Sequence, residues 1–268
     1  MDQGEKMRKD AADLYGYWEN SPYPSTKINT YFSAYADLFS EYRNTNCVFI
    51  ETGILGGGSL FMWRKWLGPS ARIIGIDLNP EANKWIEHGF EIYIGDQGDP
   101  QFWQKILNHI GEFDVLLDDG GHQSFQQIVT ASEAIKHAKK KCIVVVEDTQ
   151  TSFMNDFSAH GKNTFLNYAK ASTDILTAKG FNMYPTRMTT PTNNEIMHLF
   201  DNVYSIQFFN SLVAFKIDPI NSLSPSVTWN KRDYVPNDFR YYGKKEAEIL
   251  WPNPFESKLV KINGGEAI

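Results

Sequence analysis

Three things are scarce in this sequence, and each scarcity removes a class of answer. Only two cysteines occur, Cys47 and Cys142, too few for a disulfide framework. No apolar run approaches the ~20 residues needed to cross a bilayer. Positive charge is in short supply: 26 Lys and Arg face 32 Asp and Glu, for a net charge of −6. No global attraction to nucleic acid or to an anionic membrane is therefore expected. The one local run, Lys139-Lys140-Lys141, ends a predicted helix, where lysines complement the helix dipole. Residues 1–13 are charged and polar and lack the apolar core of a secretory signal. A reduced, cytoplasmic protein is the expectation.

What the chain does carry is apolar and aromatic weight, 42% hydrophobic and 14% aromatic over 268 residues. That is enough for one domain with a full core plus extensions. Residues 14–30 hold Tyr15, Tyr17, Trp18, Pro22, Tyr23 and Pro24 without a regular period and read as an irregular arm, followed by a helix over 31–42. Strand and helix signals then alternate. Strands are predicted at 48–50, 72–76, 91–94, 113–117 and 143–146, and helices at 59–67, 80–88, 100–110, 124–140 and 164–179. Phe125, Ile128, Val129, Ser132, Ile135 and Ala138 keep helical spacing, and Gly180 suits the position just past a helix end. Residues 204–209 and 212–217 around Asn210-Ser211 read as a hairpin.

Such alternation gives an α/β fold, a doubly wound, mostly parallel sheet with an antiparallel edge. Beyond 218 the texture changes to prolines and aromatics, among them Trp229, Tyr234, Trp251 and Phe255, too aromatic for a disordered linker. The expected organisation is an N-terminal arm and helix (1–45) serving as lid or dimer contact, a core domain (46–218), and an extension (219–268). The extension is expected to pack on the core or on a second subunit of a homo-oligomer.

The first strand runs into Glu51-Thr52-Gly53-Ile54-Leu55-Gly56-Gly57-Gly58-Ser59. Glycines there let backbone turn and approach a ligand where a Cβ would collide, and ligands of open α/β sheets bind at the carboxyl ends of strands. The spacing is not the G-x-G-x-x-G that cradles a pyrophosphate, because Phe61 stands at the third glycine. A tight strand-to-helix turn would also explain the glycines. The second strand ends at Asp77, where a carboxylate can accept both ribose hydroxyls of an adenosyl ligand. The third ends in Gly95-Asp96, placed to meet the adenine edge.

A sharper signal is Asp118-Asp119-Gly120-Gly121-His122 after the fourth strand and Glu147-Asp148 after the fifth. If these strands are neighbours, their ends lie ~4.8 Å apart, and four carboxylates crowd one rim. Like charges so close repel or raise each other's pKa, and a hard oxygen-seeking ion such as Mg²⁺ relieves them. Asp119, Glu147 and Asp148 are the candidate ligands; Asp118 and Asp148 could equally cap a turn. Zinc is disfavoured, with one histidine and no cysteine present. His122 follows Asp119 by three residues, placed either to take a proton from a metal-polarised hydroxyl or to hold the turn. Lys27 and Tyr31 are candidates for a ligand carboxylate.

The order E-x-G-x-x-x-G, strand-end Asp, then G-D resembles the class I S-adenosylmethionine-dependent methyltransferases over about residues 48–217. D-x-x-H with E-D is similar to the macrocin and mycinamicin sugar O-methyltransferases, and Ile50-Glu51-Thr52-Gly53 with Gly57-Gly58-Ser59 also resembles the cephalosporin hydroxylase-like group. The resemblance implies a seven-stranded sheet of order 3-2-1-4-5-7-6. Strand 4 then separates the strands opened by Cys47 and Cys142, beyond the Cα reach of a disulfide.

It further implies S-adenosylmethionine as donor, held by Glu51, Gly53, Gly56, Gly57, Ser59, Asp77, Asp96 and Asp118. Mg²⁺ (or Mn²⁺) would sit on Asp119, Glu147 and Asp148, with His122 as base beside Asp119. Methyl would pass to a hydroxyl of a sugar or of a glycosylated or polysaccharide precursor. A non-sugar oxygen as acceptor, and a non-catalytic adenosyl-binding protein, are the other readings. Gly120-Gly121-His122 stands where the family usually has Gly-Ser-His. A short arm stands where the macrolide enzymes have a large N-terminal domain, so the resemblance carries the chemistry rather than a macrolide acceptor.

Overall fold

The computed structural model describes residues 8–158, 163–178 and 199–222. Strands without polar alternation are covered on both faces, and the apolar runs do become the middle of a sheet. They form β1 (Val48–Thr52) and β5 (Cys142–Val146), with β4 (Val115–Asp118) paired in parallel between them. On the other side of β1 lie β2 (Arg72–Asp77) and β3 (Glu91–Ile94), also parallel. The hairpin β6 (Val203–Phe209) and β7 (Leu212–Ile217) closes the far edge, with β7 antiparallel to β5. The sheet order is 3-2-1-4-5-7-6, as the resemblance implied.

Strand side chains alternate between faces, so each strand feeds two cores. Phe49, Val115, Leu117 and Val145 pack on one face, against α2 (Tyr31–Phe39) and α3 (Gly58–Leu67), with Trp63, Trp66 and Phe39 at the centre. Ile50, Leu116, Val144 and Val146 face the other way, against α4 (Pro100–Ile110), α5 (Ser124–His137) and α6 (Phe165–Ala178). Cys47 belongs to the first core and Cys142 to the second. Both thiols are free and buried, with β4 between their strands. Among the described residues no helix is long and apolar enough to cross a membrane.

Three expectations need correction. Residues 14–30 are not irregular throughout, because α1 (Lys9–Glu19) is a helix packed on α2 and α3. Ala11, Leu14, Tyr15 and Trp18 share one helical face, and Tyr15 and Trp18 tilt against Phe32 at ring distances of 5.1 and 5.5 Å. The segment Pro80–His88 is a 3-10 helix, started by the Asn79 side chain accepting the Glu81 N–H. Helix α5 stops at His137, so the three lysines do not end it. Lys140 instead pairs with Asp114 and Lys141 with Glu41, each at 2.7 Å. Gly180 and the aromatic tail past 222 lie outside the described residues.

Candidate active site

The carboxyl ends of β1 to β5 open onto a cavity of about 420 Å³. Its walls come from residues 52–55 and Ser59 after β1, Asp77 and Leu78 after β2, and residues 95–97 after β3. Residues 119–122 after β4 and Glu147-Asp148 after β5 complete it, and residues 25–28 with Tyr31 cross over it from the arm. Among the described residues five carboxylates (Asp77, Asp96, Asp119, Glu147, Asp148) and one ammonium (Lys27) line this space. That lining suits a cationic ligand such as a sulfonium and repels a pyrophosphate, which needs positive charge or free N–H groups.

At the β1 side Gly53 takes a left-handed conformation (φ 82°) where the loops after β1 and β4 cross. A Cβ there would lie 2.1 Å from the Asp119 carbonyl oxygen, so no other residue fits. Asp77 accepts the Ile54 and Leu55 N–H groups at 3.2 and 3.1 Å and the Asn79 N–H at 2.8 Å. A carboxylate has about four acceptor positions, so Asp77 clamps the loop and retains capacity toward the cavity. Asp96 is exposed at the rim and accepts the Gly98 N–H at 2.7 Å.

Other residues expected at the donor stand elsewhere. Gly56 and Gly57 do not line the cavity; a Cβ would meet the Pro24 carbonyl at 2.6 Å and the Trp85 ring at 2.3 Å respectively. Gly56 admits the arm, and Gly57 admits the Trp85 ring of the Pro80–His88 segment. Glu51 is fully buried behind the wall, accepting the Ser59 hydroxyl at 2.8 Å. Asp118 is also buried outside the cavity, where it accepts the Gln97 amide at 2.9 Å and the Gly120 N–H at 3.1 Å. Its Oδ2 has no partner among the described residues, and burial pushes its pKa up to about 6.

Gln97 was not singled out from the sequence. It is buried and donates to Asp118, while its Oε1 accepts the Gly121 N–H at 2.8 Å. It thereby fixes the Gly120-Gly121 turn that presents His122. Its position directly after the strand-end Gly95-Asp96 is the signal that was available.

The acidic rim divides in two. On the inner side Lys27 Nζ lies 2.6 Å from Asp119 Oδ2 and 3.3 Å from both Glu51 Oε1 and Glu147 Oε1. Its side chain is 1% exposed. Glu147 also accepts the Tyr35 hydroxyl. Burial alone would disfavour the ammonium, but Asp119, Glu147 and Glu51 outweigh it and hold the Lys27 pKa well above its usual value. Burial, reinforced by Asp119, holds Glu147 well above the carboxylate range. Burial also raises Asp119 and Glu51, against the pull of Lys27. Three carboxylates around one ammonium leave this cluster short of positive charge.

On the outer side Asp119, His122 and Asp148 each offer a ligand atom within 4.8 Å of the others, and His122 Nε2 lies 3.4 Å from Asp148 Oδ2. His122 (φ 57°) and Asp148 (φ 53°) are both left-handed, a conformation costing roughly 1–3 kcal/mol for such residues unless neighbours impose it. At Asp148 the neighbour is Tyr31, whose hydroxyl accepts the Asp148 N–H at 2.9 Å and lies 2.8 Å from Asp148 Oδ1. At His122, Thr151 donates to the carbonyl at 3.1 Å. The two carboxylates fit a hard divalent ion, with the imidazole beside them. Glu147, the third expected ligand, is turned inward to Lys27 and Tyr35.

Sheet order and a site spread over successive strand ends define the class: this is the fold of the class I S-adenosylmethionine-dependent methyltransferases. No family model matches the chain. It is similar in sequence to sugar O-methyltransferases. One is the 8-demethyl-8-alpha-L-rhamnosyl tetracenomycin-C 2'-O-methyltransferase of Streptomyces olivaceus, 26% identical across 67% of this chain and 50% of that protein. Another is the mycinamicin VI 2''-O-methyltransferase of Micromonospora griseorubida, 26% identical across 73% of this chain and 50% of the other.

The demethylmacrocin O-methyltransferase of Streptomyces fradiae is 31% identical, across 52% and 38%. The chain thus spans about half or less of the length of the curated relatives it matches. In structure it resembles the MycE methyltransferase of the mycinamycin biosynthetic pathway, solved with Mg and SAH (TM-score 0.68, 22% identity, 85% of this chain and 58% of that one).

Proposed function

We propose that the protein transfers methyl from S-adenosylmethionine to a hydroxyl of a sugar or glycosylated precursor, with a divalent ion beside the donor and His122 as general base. The observation that carries this reading is the convergence of Asp119, His122 and Asp148 on the edge of an acidic cavity at the strand ends. The names of the relatives support a sugar acceptor and an oxygen nucleophile.

Asp77 and Asp96, which line the cavity, would hold the donor's adenosine hydroxyls and adenine edge, and the five-carboxylate lining would favour its positive sulfonium over a neutral product. When bound, the donor supplies an activated methyl group and the ion lowers the pKa of an acceptor hydroxyl. Asp119 and Asp148 would hold that ion. The His122 imidazole accepts the hydroxyl proton at Nε2, and Asp148 at 3.4 Å stabilises the imidazolium that results. Tyr31 keeps Asp148 turned to the imidazole, and the arm across the cavity excludes water. Positioning accounts for much of the acceleration, since the methyl group arrives already activated.

His122→Gln tests the assignment. The turnover rate should fall by roughly 10²–10⁴-fold, with Mn²⁺ affinity and S-adenosylhomocysteine affinity unchanged by calorimetry. A rate within a few-fold of wild type removes the base from the mechanism. Loss of Mn²⁺ binding in step with rate makes His122 a ligand instead.

A further inference from the structure

The buried ammonium of Lys27 occupies space that the proposed metal chemistry needs, and the inference rests on that reading. The segment before α2 is pinned on both sides of Lys27. Ahead of it the Gly58 N–H donates to the Pro24 carbonyl at 3.3 Å, and the bare Cα of Gly56 admits that same carbonyl. Behind it Tyr31 bonds to Asp148 and Tyr35 to Glu147. Between these anchors Lys27 reaches Asp119 at 2.6 Å and Glu51 and Glu147 at 3.3 Å.

A lysine ammonium carries three donors, one for each of these carboxylates. Asp119 and Glu147 are two of the three expected metal ligands. Two cations on the same carboxyl groups repel each other, and in a buried site that repulsion is weakly screened. Glu51 has a second partner in Ser59 and lies behind the cavity wall, so it remains available to Lys27 when the other two are taken.

We propose that Lys27 is an internal cation competing with the divalent ion for Asp119 and Glu147, so that Glu147 joins the ligand set only as the ammonium withdraws toward Glu51. Lys27 is in this sense a positioning residue. It keeps the acidic cage folded before the ion arrives, and it decides whether Glu147 joins the ligand set.

The experiment is Mn²⁺ titration of metal-free protein, following free Mn²⁺ by electron paramagnetic resonance without donor. Lys27→Met should bind Mn²⁺ tighter by about tenfold or more (~1.4 kcal/mol), and Lys27→Arg should stay close to wild type. Equal or weaker binding by Lys27→Met overturns the competition. The wild type gives a second measurement that needs no variant to fold. A crystal structure of the wild type with Mn²⁺ should show Lys27 Nζ moved off Glu147 and still beside Glu51. Lys27 Nζ still bonded to Glu147 with the ion bound overturns the proposal. Absence of Mn²⁺ binding in both proteins overturns the metal reading itself, whereas equal binding in both overturns only the role of Lys27.

Discussion

Replacing Asp118 by asparagine should stabilise the metal-free protein at neutral pH and destabilise it in acid. The Asp118 carboxylate is buried, one oxygen has no partner among the described residues, and burial pushes its pKa from the usual 3.8 to about 6. That rise corresponds to ~3 kcal/mol against the ionised form. Asparagine retains the Oδ1 acceptor for Gln97 and Gly120 but places an amide N–H₂ where Oδ2 had no partner, returning ~1–2 kcal/mol. The net gain above pH 6 is therefore about 1–2 kcal/mol.

The sign follows from the raised value. Below the unfolded pKa Asp118 is neutral in both states, the ionisation cost is gone, and the unpartnered amide leaves the asparagine variant weaker by about 1–2 kcal/mol. Between 3.8 and about 6 the wild type loses stability as ionisation in the unfolded state pulls against the fold. Urea unfolding of both proteins in EDTA, at pH 4.5 and pH 8, measures the difference. Parallel stabilities at the two pH values, or an asparagine variant weaker at pH 8, would refute the assignment of the shift to burial.

Two further outcomes are expected. Asp77→Ala should weaken S-adenosylhomocysteine binding about ten- to a hundredfold by calorimetry, because it removes hydrogen bonds to a charged acceptor worth roughly 1.5–3 kcal/mol; unchanged affinity would take Asp77 out of the donor site. EDTA should abolish methyl transfer, with Mg²⁺ or Mn²⁺ restoring it and donor binding largely intact; full activity in EDTA after dialysis would sink the metal requirement.

The sheet was readable because its evidence is local. Residues 143–146 are apolar at every position, and only a strand covered on both faces uses such a run. Helix α1 was missed for the opposite reason. Ala11, Leu14, Tyr15 and Trp18 do fall on one helical face, but Gly16 and the prolines at 22 and 24 break the texture around them. Burial against α2 and α3 outweighs the weak local propensity. The glycine loop shows a different limit. Gly56 and Gly57 lack a Cβ because Pro24 and Trp85 crowd them, and a sequence cannot say whether a glycine makes room for a ligand or for its own chain.

The site divides along the same line. Asp119, His122, Glu147 and Asp148 were legible because they leave neighbouring strands, so sheet order alone brings them together. Lys27 lies 92 positions from Asp119 and Tyr35 112 from Glu147, and no spacing rule connects them. Yet the acidic rim already required some such group, since buried carboxylates persist only when paired. From the strand-end carboxylates alone, that whole requirement falls to a metal. In the structure an ammonium takes part of it, and the remaining deficit of positive charge falls on the side of Asp119 that faces His122 and Asp148. That is where a sulfonium methyl and a polarised hydroxyl would have to meet, so the charge that holds the arm in place and the charge that serves the chemistry draw on the same carboxylates.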